Sequence, residues 1–154
     1  MNKIETVSIA IGNKMYNRFR DLPGTPSQII AEFVDNAIQS AVDNKDVLLL
    51  VEDNYKLKVS IDFDKNEEGE YNKLYICDNA AGINANKFIT AFQPAVTPED
   101  NSGLNEFGMG LKTAACWFGN LWTVETTEYG SNKMFSATMD IKKLETEKTE
   151  TINP

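Results

Sequence analysis

Apolar residues Ile29, Ile30, Phe33, Val34, Ala37, Ile38, Ala41 and Val42 recur at spacings of one, three and four, the periodicity of a helix with a wide apolar stripe. The run opens on Thr25-Pro26-Ser27-Gln28, where Thr25 can cap, Pro26 suits the first helical position and Gln28 completes a capping box. A helix is therefore predicted to run from there to about Val42. Glu32, Asp35, Asn36 and Gln39 fall on its opposite, polar side.

Further on, the period changes from helical to alternating. Residues 56–64 and 73–78 read as two strands of a hairpin, joined by the polar stretch Lys65-Asn66-Glu67-Glu68-Gly69-Glu70. A short helix is predicted over 85–92, then a loop over 93–107, then a second helix over 110–118. Two more strand-like runs, 121–128 and 133–141, flank the turn Tyr129-Gly130-Ser131-Asn132. Residues 144–154 are polar and suggest no element. Helices bracketing antiparallel strands, without strict strand-helix alternation, predict an α+β two-layer sandwich with helices on one face of a mixed, mostly antiparallel sheet.

The chain has 154 residues, 42% hydrophobic and 25% charged, which suits one domain with a real core. Its formal net charge of −8 argues against direct binding of nucleic-acid backbones, which needs clustered Lys and Arg. Any such contact is expected through another domain. No apolar stretch is long enough to span a bilayer, and the opening residues lack the features of a secretory signal, so a cytoplasmic location is expected. Cys77 and Cys116 have no zinc-type spacing and read as two reduced core thiols. There is no histidine, which removes Ser-His-Asp triads, imidazole-bound metals and a phosphoaccepting histidine from this chain. Chemistry must then fall to carboxylates, amides, lysines and backbone N–H groups.

Three groups of residues could carry it. Glu32 and Asn36 are four apart, hence stacked one helical turn apart with Asp35 beside them. A carboxylate there can orient or deprotonate water, and an amide oxygen can ligate Mg²⁺. The same pattern is equally that of a solvated helix face. In Ile76-Cys77-Asp78-Asn79-Ala80-Ala81-Gly82-Ile83 an apolar strand ends on a carboxylate able to accept from an exocyclic amine. Gly82 would let the backbone approach a flat ring. An ordinary strand-to-loop turn would look alike. Finally, Phe107-Gly108-Met109-Gly110-Leu111-Lys112-Thr113 runs from a glycine loop straight into a helix, which presents N–H groups and a positive helix end to an anion. Lys112 could add a charge for a phosphate, or face water. The spacing fits neither the P-loop nor the dinucleotide fingerprint.

In this order, the three groups resemble the motifs of the GHKL superfamily, which includes gyrase, HSP90, histidine kinases and MutL. Glu32-x-x-Asp35-Asn36 is similar to its N-box, 78–82 to its first glycine box, and Gly108-Met109-Gly110-Leu111-Lys112 to its second. The second box looks most like those of MORC-like and HSP90-like proteins. The resemblance implies a Bergerat-type ATP-binding fold with ATP and Mg²⁺ as ligands. It makes Glu32 the general base, Asn36 the Mg²⁺ ligand, Asp78 the adenine reader and Gly82, with Ile83 beside it, the close approach to the base. Asp35 would line the nucleotide site, Gly108, Met109, Gly110, Leu111 and Lys112 would cradle the phosphates, and 92–105 would be a lid.

There are three departures from the family pattern: Ala80 stands for a frequent glycine, Gln39 for a frequent carboxylate, and a last sheet strand is not recognisable. Active members generally also take a lysine from a following transducer domain, which is not expected within these residues, so hydrolysis by this domain alone is expected to be slow or undetectable. The implied activity is ATP binding and slow hydrolysis that drives lid closure and dimerisation of a larger protein. The alternatives are a histidine-kinase-type phosphotransfer domain and a catalytically inactive nucleotide-sensing module.

Overall fold

The computed structural model describes residues 7–8, 14–92, 110–147 and 151–152. In chain order these form β1 (Val7–Ser8), α1 (Lys14–Arg20), α2 (Pro26–Asp43), α3 (Lys45–Val51), β2 (Val59–Lys65) and β3 (Tyr71–Asp78). They continue as α4 (Ala85–Ala91), α5 (Gly110–Phe118), β4 (Leu121–Thr127), β5 (Met134–Asp140), α6 (Ile141–Glu147) and β6 (Thr151–Ile152). The composition is α+β, as the periodicity predicts.

The start of α2 is the capping box read from the sequence. The Thr25 hydroxyl accepts from the Gln28 backbone N–H at 3.4 Å, and the Thr25 N–H donates to Gln28 Oε1 at 2.9 Å. α4 and α6 begin in a related way. Asn84 Oδ1 accepts from Lys87 N, and Asp140 Oδ1 from Lys143 N. Each side chain satisfies one of the amide groups that a first turn leaves without a partner.

The strands pair β1 with β6, β2 with β3 and β4 with β5, all antiparallel. Among the described residues the strands form three two-stranded antiparallel ladders, in keeping with the expected α+β, mostly antiparallel class. The reason is local. Two of the ladders are hairpins closed by short turns with Gly69 (φ 83°) and Gly130 (φ 75°) in the left-handed region, and a short turn permits only antiparallel pairing.

The core lies between β4–β5 and the helices. Tyr16 and Phe19 of α1, Phe88 of α4, Phe92, Cys116 of α5, Ala137 and Met139 of β5, and Ile141 and Leu144 of α6 bury together. Trp122, Val124 and Phe135 pack against them. β4 alternates strictly, with Trp122, Val124 and Thr126 covered and their neighbours exposed. α5 packs against both α1 and α2, so its sequence must be small or apolar on several sides. Ala114, Ala115 and Cys116 are accordingly buried.

Two expectations are corrected. The apolar stripe of α2 is only partly covered: Ile29 and Ala37 are buried, but Val42 is 64% exposed. Of the two thiols, Cys116 is buried and Cys77 is exposed on β3. Cys77 lies on the opposite face of its strand from Ile76, which takes the more covered position.

Candidate functional site

Glu32, Asp35 and Asn36 lie on α2, the helix that packs along α5. Glu32 is exposed, while Asp35 and Asn36 are half-buried. The Glu32 carboxylate reaches the first residue of α5. A Cβ placed on Gly110 would overlap Glu32 Oε2. Gly110 is not among the residues with positive φ, so its missing side chain serves space and not backbone conformation. A carboxylate beside the start of a helix is also in a favourable field, because the first amides of a helix point their N–H groups outward. The structure therefore joins the first and third of the groups singled out in the sequence. Gly108, Met109 and residues 93–105 of the expected lid lie outside the described residues. Phe92, at the lid's expected start, is instead a core residue.

Lys112, the third residue of α5, does not face water: it is 2% exposed. Burial disfavours its charged form and lowers its pKa from 10.5 to about 8. Leu111 beside it is half-buried.

The second group assembles at the end of β3. Asp78 Oδ1 accepts from Ala80 N at 2.9 Å, which folds the chain sharply after the strand. Asn79 ties this turn to the segment before β2: its Oδ1 accepts from Lys58 N at 2.6 Å and its Nδ2 donates to the Lys56 carbonyl at 3.1 Å. The Tyr55 hydroxyl donates to the Asn79 carbonyl at 3.3 Å. The Tyr55 phenol is raised above its ordinary pKa, first by desolvation and then by the nearby Asp78 and Glu52 carboxylates.

The rest of the loop is strapped to the end of β4. Ile83 N donates to Thr126 Oγ1 at 2.9 Å, and Tyr129 N donates to the Ala81 carbonyl at 2.8 Å. Gly82 has φ 70°, and a Cβ there would collide with the Thr127 carbonyl. Only glycine satisfies both conditions. Among the described residues, no hydrogen bond joins Asp78, Gly82 or Ile83 to Glu32, Asp35 or Asn36.

The sequence from the α2 cap to the last residue matches the family model described as histidine kinase-, DNA gyrase B- and HSP90-like ATPase, over residues 25–154. The chain belongs to this ATPase family. Comparison with curated proteins and with solved structures finds no match. The family match spans all three residue groups, and ATP binding is the property that its members share by description. Among the described residues of this family member, no helix is long and apolar enough to cross a membrane.

Three residues that brace the loop after β3 carry contacts to which the motifs alone do not point: Tyr55, Asn79 and Thr126. Asn79 was visible inside the Asp78–Gly82 motif, and an Asn after a strand is a turn signal. Tyr55 and Thr126 carry no local signal, because each acquires its role from a partner more than 20 positions away.

Proposed function

We propose that the chain binds ATP together with Mg²⁺ and hydrolyses it slowly, using the nucleotide to close a lid and bring two copies together. The observation that supports this best is the meeting of Glu32 with the start of α5. It sets a carboxylate beside the first residue of the helix, at the helix end where a phosphate is favoured.

In this reading Glu32 is the general base that takes a proton from the attacking water at its carboxylate oxygens. Gly108, Met109, Gly110, Leu111 and Lys112 hold the phosphates, with backbone N–H groups and the ammonium of Lys112 opposing their charge. Asp78 accepts from the exocyclic amine of adenine, and Gly82 and Ile83 shape the base end of the site. Asp35 lines the pocket beside Glu32.

The donor chemistry fits Mg²⁺. The Asn36 amide oxygen is a hard ligand one turn from Glu32, and Mg²⁺ with a nucleotide usually takes one or two side chains plus phosphates and water. Among the described residues no three His, Cys, Asp or Glu side chains form a dedicated metal cage. Mg²⁺ would neutralise charge on the phosphates, and Asn36 would hold it.

Calorimetric titration with Mg·ATP tests the assignment. Asp78→Asn is expected to weaken binding at least about 10-fold, because a polar group built to recognise the base is left mismatched. Glu32→Ala should bind nearly as tightly as the parent chain and lose turnover. Equal affinity of the parent chain and Asp78→Asn would sink the adenine assignment. Light scattering with and without a non-hydrolysable ATP analogue reads the dimer; an unchanged mass would remove dimerisation from the proposal.

A further inference from the structure

Gly110 is one of five residues that the family resemblance places around the phosphates, and the structure shows a feature that this role does not explain. A phosphate cradle needs backbone N–H groups, which any residue but proline provides. A glycine is required where φ is positive or where a side chain has no room. Gly110 lacks the first condition, since the positive-φ glycines among the described residues are Gly69, Gly82 and Gly130. It meets the second, and the atom that fills the space is Oε2 of Glu32, on another helix. Gly24 also approaches a side chain, but there a Cβ would lie 3.0 Å from Ile29 Cδ1 of the adjoining helix, a tight contact that a shift of a few tenths of an ångström relieves.

We propose that Gly110 is a positioning residue for Glu32: the absent side chain at the start of α5 leaves the space in which the Glu32 carboxylate is held against α5. Its catalytic consequence rests on the reading of Glu32 as the base for hydrolysis; the placement itself does not. Glu32 is exposed and ends in a flexible chain, so a methyl group at position 110 displaces the carboxylate instead of unfolding the protein. Alanine is moreover the better helix former, and the backbone at 110 already suits it. Gly110→Ala therefore separates the position of the base from the integrity of the fold.

Two measurements test this. In protein labelled with carbon-13 at glutamate carboxyls, the Glu32 resonance is identified by its loss in Glu32→Gln. It should move in Gly110→Ala, with the melting midpoint held within roughly 4 °C. An unmoved resonance in a folded variant overturns the placement, whether or not the chain turns ATP over. Should Gly110→Ala fail to fold, the same substitution in Glu32→Ala must restore folding, since the group it meets is gone; failure there also overturns the proposal.

In steady-state assays, Gly110→Ala should lower kcat about 10-fold or more while changing Mg·ATP affinity less than about 3-fold. In the Glu32→Ala background it should lower kcat no further, because both changes act through one group. A loss of affinity with kcat unchanged would assign Gly110 to the phosphates alone and overturn the proposal. If Glu32→Ala itself leaves kcat intact, the hydrolysis reading fails, and the carboxyl resonance still decides the placement.

Discussion

At position 112 a lysine occupies a site that burial would ordinarily give to an apolar residue. Its pKa, lowered to about 8, has a definite consequence for stability. Below pH 8 the lysine is charged in both folded and unfolded chains, and the folded chain carries the full desolvation cost. Between about pH 8 and 10.5 the unfolded chain holds a proton that the folded one has released, so this group makes stability rise with pH. Cys116 acts oppositely. Burial raises its thiol from 9.0 to about 11, so over that range the unfolded chain releases a proton that the folded one keeps, and stability falls. The lysine contribution is isolated by comparison with Lys112→Met. The stability of the variant relative to the parent chain is expected to fall as pH rises from about 8 towards 10, because only the parent chain gains from releasing the buried proton. Urea unfolding across that range checks it; a gap independent of pH would show that the lysine carries no burial cost. If Lys112 meets phosphate as proposed, the same substitution weakens Mg·ATP binding.

Among the elements, α2 was the most legible in the sequence, because its signals are local. The box of Thr25 and Gln28 and the spacing of Ile29 to Val42 lie within a few turns of one another. Thr25→Ala should cost about 1 kcal/mol, read as a lowered urea midpoint at unchanged slope. No change would mean that water replaces the cap without loss. The hairpins were legible too, since alternation and turn residues are contiguous. α1, α3 and α6 were not anticipated, and each spans seven residues. A helix that short needs only two anchors, such as Tyr16 with Phe19 or Ile141 with Leu144. Two apolar residues three apart are too few to register as a period. In α6 the cap at Asp140 was a usable sign, but Ile141 extends the alternation of β5, and the strand pattern masked it.

Across the whole molecule, one aromatic stack holds the helices to β4–β5. Phe92 lies parallel to Trp122 at 5.8 Å and edge-on to Phe88 at 5.1 Å, and its carbonyl accepts from the Tyr16 hydroxyl. α1, α4 and β4 thus converge on one residue. Phe92→Ala should destabilise by about 3–5 kcal/mol, a large part of what a domain this size has. Chemical denaturation measures it, and a loss under about 1 kcal/mol would show that the surrounding groups collapse into the space.

The sequence by itself determined the α+β class, the capped helix carrying Glu32 and Asn36, the strand ending at Asp78, and the family, because each is read from periods and motifs that are individually local, and from their order along the chain. Tertiary structure alone decided that Glu32 meets Gly110, that Lys112 is buried, and that Tyr55 and Thr126 support the Asp78 loop. Such relations depend on how α2 settles on α5 and how the loop after β3 lies over β4. Those placements come from packing across long stretches of chain, which periodicity and motif spacing do not encode.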